Sequence, residues 1–134
     1  MTSPGPVVVD TNVVVYLILG RGRAQEYSRI LRDRDVLVSF QTLAELRLIA
    51  LRRTWGPRLL TTMDEVVGQA GIIQPTLELV EEWAQLMYRQ IQRGSRIESA
   101  DAWVAASAML HGCPVLTNDK KDFERIEGLR LLPP

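Results

Sequence analysis

Five short apolar runs punctuate this chain: Val7-Val8-Val9, Val36-Leu37-Val38, Ile72-Ile73, Val115-Leu116 and Leu129 to Leu132. They are too short for helices, and β-branched residues lead in most of them, so they read as strands. The stretches between them have helical periodicity. Ala24, Tyr27, Ile30 and Leu31 share one face of a segment from Ala24 to Arg32. Leu43 to Leu51 give Thr42–Arg53 a broad apolar face. Pro57 opens a segment that runs to about Val67. Val80, Trp83, Ala84, Met87, Tyr88 and Ile91 make Leu77–Ile91 amphipathic, and the Ala-rich Ser99–His111 ends at Gly112 and Pro114. Strands that alternate with helices predict an α/β domain, with a mostly parallel sheet covered on both faces. One segment stays open: Val13–Leu19 fits either the second arm of a hairpin turning at Asp10-Thr11-Asn12 or a buried helix.

A length of 134 residues suits a single domain over 1–134, with a disordered tail expected over residues 1–5. The longest apolar run, Val13–Leu19, is far short of the ~20 residues a membrane span needs. No basic leader precedes it, and the lone Cys113 fits a reducing cytoplasm. Basic and acidic residues balance at 16 each. Bulk electrostatics therefore cannot hold a polyanion, and any nucleic-acid partner must be gripped by a local patch. Arginine-rich candidates are Arg89, Arg93 and Arg96, with the pair Lys120 and Lys121; each taken singly also fits an ordinary solvated face.

In parallel sheets, ligands bind beyond the carboxyl ends of the strands. Four acids fall there. Asp10 follows the first strand directly, and Glu45 lies early in the helix after the second. Asp101 sits in the first turn of the Ala-rich helix, and Asp119 comes just after Val115-Leu116. Each has a plain structural alternative. Asp10 could shape a turn, Glu45 could complete a Thr42-x-x-Glu45 capping box, Asp101 could complement a helix dipole, and Asp119 could cap. Together they form a crowd of carboxylates that repel one another until a hard cation relieves them, and Mg²⁺ or Mn²⁺ prefers such oxygen ligands. Carboxylate-bound metal pairs hydrolyse phosphodiesters by lowering the pKa of water. The only histidine, His111, rules out a two-histidine acid–base pair by count. Asn12 rules out the Asp-x-Asp of dehalogenase-type phosphatases, and no phospho-acceptor acid near Val36–Phe40 supports a receiver domain.

The sequence Val-Val-Val-Asp10-Thr11-Asn12, then Thr42-Leu-Ala-Glu45-Leu, Asp101-Ala-Trp-Val-Ala-Ala-Ser-Ala, and Val-Leu-Thr117-Asn118-Asp119-Lys-Lys-Asp122-Phe123 closely resembles the PIN domain. Within that family it is similar to the VapC-type toxin ribonucleases of bacterial toxin–antitoxin modules, over Val7–Leu132. The resemblance implies a three-layer α/β/α fold with a five-stranded, mostly parallel sheet, and makes Val13–Leu19 a helix. It further implies a Mg²⁺- or Mn²⁺-dependent endoribonuclease that forms a homodimer and is silenced by a cognate antitoxin. Asp10, Glu45 and Asp101 match the core acids and Asp119 the more variable fourth. Thr11, Asn12 and Thr117 match polar supports, and Glu98 and Asp122 are further acids able to supply an outer ligand. Asp119 is expected to line the site rather than Asp122, being nearer the strand end. Trp83, Met87, Tyr88, Leu46 and Ile49 are expected to leave apolar surface for the dimer. The rival readings are a non-catalytic PIN-fold module that binds RNA or protein, and a PIN nuclease of RNA processing or of DNA.

Overall fold

The computed structural model describes residues 4–133. Its sheet has five strands: β1 (Val7–Val9), β2 (Val36–Ser39), β3 (Gly71–Ile73), β4 (Val115–Leu116) and β5 (Leu131–Leu132). They lie in the order β3-β2-β1-β4-β5, and every pairing is parallel. The helices are α1 (Thr11–Leu19), α2 (Ala24–Leu31), α3 (Phe40–Arg52), α4 (Pro57–Gly68), α5 (Leu77–Gln92) and α6 (Ser99–Leu110), with a 3-10 turn at Lys120–Asp122. Val13–Leu19 is thus helical. Asp10 takes an extended conformation at its N-cap, and Gly20 turns left-handed at φ 64° to end it. No helix among the described residues is long and apolar enough to cross a membrane. Of the tail expected over 1–5, residues 1–3 lie outside the described residues; Arg34 Nη1 donates to the Pro4 carbonyl at 3.3 Å.

Side chains alternate along β1, and that alternation divides the core. Val7 and Val9 face one way, packing with Val13, Ile18, Tyr27, Leu46 and Met63 from α1–α4. Val8 faces the other, against Leu79, Leu86 and the Ala102–Ala108 face of α5 and α6. Three layers result. Strand order runs outward from β1 through β2 to β3, then restarts at β4 on the other side of β1. Such a switch point opens a crevice at the carboxyl ends of the two central strands.

Two boundaries differ from the sequence expectation by more than one residue. α3 starts at Phe40 because the Ser39 hydroxyl caps it, accepting from Gln41 N at 3.1 Å. Thr42 therefore lies inside the first turn, and no capping box forms with Glu45. The last strand is only Leu131–Leu132, because Gly128, at φ 85°, turns the chain just before Leu129.

Candidate active site

Asp10 ends β1 and starts α1, with 7% of its surface exposed. Oδ1 accepts from Thr11 N at 2.9 Å, and Oδ2 accepts from the Thr117 hydroxyl at 2.9 Å. Thr117 follows β4, the strand beside β1, so the sheet order itself brings this donor to this acid. The Thr117 hydroxyl also accepts from Asp119 N at 3.0 Å. On the other side, the Thr11 hydroxyl donates to Glu45 Oε1 at 2.7 Å and lies 3.1 Å from the Thr42 hydroxyl. Thr11 has one hydroxyl proton and gives it to Glu45, so Thr42 must donate to Thr11. That is the role of the buried Thr42. Asn12 acts by position: its Oδ1 accepts from Asn118 N at 3.2 Å, tying the segment after β4 to α1.

Asp10, Glu45, Asp101 and Asp122 line one cavity of about 410 Å³. The fourth carboxylate on this cavity is that of Asp122, whose side chain meets that of Asp119. Asp119 does not line this cavity and Asp122 does. The Asp119 main chain is tied down twice, its N–H on Thr117 and its carbonyl on Asp122 N at 3.3 Å. The chain then makes a single 3-10 turn, which swings Asp122 back over the cavity and leaves Asp119 beside it. The site is not the largest concavity. A cleft of about 990 Å³ at the amino ends of the strands carries Asp35 as its lone carboxylate, beside Arg32 and Arg34.

Burial first, and crowding after it, raise the acids' hold on their protons. Burial pushes Asp10 up from 3.8 to about 6, opposed by the Thr117 and Thr11 hydrogen bonds and helped by the charges of Glu45 and Asp122. Asp101 rises to about 7, first through burial, then through Asp122, Asp10, Glu45 and Glu98. Asp122 is also raised, by burial and then by Asp119. The donor set is all oxygen, which suits Mg²⁺ or Mn²⁺ rather than a soft metal. Among the described residues no three acid, His or Cys side chains stand as a ready-made cage. Magnesium does not require one, since it keeps several waters and binds through one or two carboxylates.

The remaining sequence candidates scatter. Glu98 and Arg96 line a second cavity beside the first, together with Asp101 and Asp122. Arg93 is paired with Glu127 at 3.1 Å. Arg89 is exposed on α5, and Lys120 and Lys121 lie on the 3-10 turn. Arg53, Arg125 and Tyr16 line the two cavities and are not among the sequence candidates. Arg53 carries a signal in the sequence: Glu45, Ile49 and Arg53 fall at i, i+4 and i+8, one face of α3 and its cap. Of the residues expected to leave apolar surface, Leu46 is buried, and Ile49, Trp83 and Met87 pack against the cores. Tyr88 is exposed, in a stripe with Leu77, Val80 and Ile91 along α5.

A family model described as the PIN domain matches residues 7–129. Ribonuclease VapC5 of Mycobacterium tuberculosis (strain ATCC 25618 / H37Rv) is 31% identical over 130 residues, covering 95% of this chain and 92% of the relative. Among solved structures, VapBC-5 from the same species, a member of the VapBC family of toxin–antitoxin systems, superposes with a TM-score of 0.72 at 26% identity, covering 96% of each chain. VapBC2 from Rickettsia felis, bound to a DNA fragment from their promoter, gives 0.82 at 23% identity, covering 94% of this chain and 96% of that one; at this identity the likeness is one of fold.

Proposed function

Because this chain belongs to the PIN domain family, we propose that it is a divalent-metal-dependent endoribonuclease, the toxin of a toxin–antitoxin pair, acting in the cytoplasm. The observation that carries the reading is the convergence of four carboxylates, two of them pushed far above 3.8, on one cavity at the switch point of the sheet. A relative 31% identical over nearly the whole chain carries the name ribonuclease, which supports the substrate class. The VapBC-5 complex supports an antitoxin partner.

In this reading Asp10, Glu45, Asp101 and Asp122 would hold Mg²⁺ or Mn²⁺, with Asp119 behind Asp122. There the ion would supply an activated water and charge neutralisation at the phosphoryl oxygens. The chain's own residues do the rest. Thr117 and Thr11 N fix the Asp10 carboxylate from both sides, so its oxygens hold their direction as the charge around them changes. Thr11, itself held by Thr42, does the same for Glu45. Burial and the neighbouring acids raise Asp101 to about 7, and a bound cation would favour its carboxylate form. No side-chain nucleophile is needed, and Cys113 is buried with its thiol raised by that burial. The exposed stripe Leu77, Val80, Tyr88 and Ile91 on α5 supports a homodimer.

Brief induction of the wild type and of Asp10→Asn in cells, followed by mapping of RNA 5′ ends, tests this reading. New ends at a small set of sites are expected with the wild type, absent with Asp10→Asn and suppressed by the cognate antitoxin. Identical end maps from the two proteins would contradict it.

A further inference from the structure

Two cavities meet at the acid cluster, and Asp101 and Asp122 stand on the wall between them, lining both. The first, about 410 Å³, extends on the α1–α4 side to Tyr16 and Arg53. The second, about 500 Å³, extends on the α5–α6 side to Arg96 and Arg125. The acid ridge thus has cations beyond it on either side. Among the described residues two ion pairs form within 4.0 Å, Arg23–Glu26 and Arg93–Glu127, and neither uses Arg53, Arg96 or Arg125. In a chain of zero net charge, these three guanidinium groups are the basic side chains that line the two cavities, and the charge of Arg125 acts on Asp122.

Tyr16 adds a flat surface on the Arg53 side. Its ring is fixed from below by Gly22, where an added Cβ would lie 2.8 Å from Tyr16 Cε1. Tyr27 packs beside it, with centroids 6.2 Å apart and planes at 41°. Gly22 has φ +62°, a conformation a larger residue adopts only with strain, so both backbone and space keep this position small. A half-buried aromatic ring held in one orientation, on the same cavity as an arginine outside the two ion pairs, can hold one nucleotide by base stacking and phosphate contact.

We propose that single-stranded RNA crosses the ridge from one cavity to the other, and this rests on the ribonuclease reading above. On the first side a base stacks on Tyr16 and its phosphate meets Arg53. On the second, phosphates meet Arg96 and Arg125. The phosphate between them is held over Asp101 and Asp122, so Tyr16, Arg53, Arg96 and Arg125 are positioning residues that set which bond reaches the acids.

Binding without cleavage tests this. An Asp10→Asn background in EDTA removes turnover and metal together, and the probe is a fluorescein-labelled pool of random 8-mer RNA read by anisotropy across about 50–200 mM NaCl. Arg53→Gln, Arg96→Gln and Arg125→Gln should each flatten the slope of log affinity against log salt, by about 0.7 for each phosphate left without its arginine. Arg53→Gln combined with Arg125→Gln should show the sum, because the two sit on separate cavities. Arg53→Lys should keep the slope, which controls for damage to folding. Tyr16→Ala should weaken binding by about fivefold or more with the slope unchanged, since stacking releases no counterions. Unchanged slopes in all three arginine variants would overturn the proposal, as would a wild type that cuts RNA while the Asp10→Asn protein fails to bind the pool. In both cases the ribonuclease reading survives if magnesium-dependent cutting persists. Loss of binding and of cutting together overturns both.

Discussion

Asp10→Asn is expected to melt higher than the wild type in EDTA and lower than it in magnesium. The rise of Asp10 from 3.8 to about 6 means the folded protein holds this proton more tightly than the unfolded chain does. The sign follows by linkage. Above about pH 6 the folded state must carry a charge its surroundings disfavour, and the full cost applies. As pH falls through 6 toward 4 the cost is relieved, so wild-type stability in EDTA should rise over that window. At 1.36 kcal/mol per pH unit the cost near neutrality is about 3 kcal/mol. The amide removes it and still fits. Asn Oδ1 can accept from Thr11 N, and Nδ2 can donate to the Thr117 hydroxyl, which turns its own proton away. After some loss in hydrogen-bond strength, a gain of about 1–2 kcal/mol remains, as when a functional strain is removed. Magnesium reverses the order, because a ligand that binds only the folded state adds about 2.7 kcal/mol at a hundredfold excess over Kd. Monovalent salt at matched ionic strength controls for screening. Thermal melts of both proteins across pH 4–7 would check this. A variant that melts lower in EDTA and still gains fully from magnesium would make Asp10 a structural cap only.

The second large effect separates two acids three residues apart. Asp122→Asn should reduce magnesium-dependent RNA cleavage by on the order of 10–100-fold, the usual loss when a metal site's carboxylate environment is altered. Asp119→Asn should cost less, because Asp119 holds the loop through its main chain, which the substitution leaves intact, and its side chain meets Asp122 without lining the cavity. Cleavage rates at saturating magnesium decide it. Equal losses, or a greater loss at Asp119, would contradict the placement of Asp122 on the cavity.

This pair also marks where the sequence stops being legible. Asp10 needs only the end of one strand to be located, and Asp101 only the start of one helix, so coarse boundaries suffice. Choosing between Asp119 and Asp122 requires the 3-10 turn at Lys120–Asp122, whose single reversal decides which carboxylate returns to the sheet. Proximity to the strand end is a poor guide across such a turn. Thr42 is hard to place for a related reason. Its spacing to Glu45 fits a capping box, but Ser39 takes the cap and frees Thr42 to support Thr11. Leu46 and Ile49 resemble surplus surface because helical periodicity counts apolar positions without saying how many neighbours a helix has. α3 packs against β2, α1 and α6, and that accounts for them. The second cavity has no sequence signature, since it joins α5, the approach to α6 and the segment after β4, which meet only in the fold.

Whether the carboxylates at the switch point form a metal site that cuts RNA is decided by cleavage of defined RNA with purified protein. The reaction is titrated with magnesium, alongside Asp10→Asn prepared identically. No cutting is expected in EDTA, with cutting that saturates as magnesium is added and is lost in Asp10→Asn. The products should be free of 2′,3′-cyclic phosphate, because water rather than the 2′-hydroxyl is the nucleophile. Cutting that persists in EDTA, or equal rates from the two proteins, would contradict the metal site.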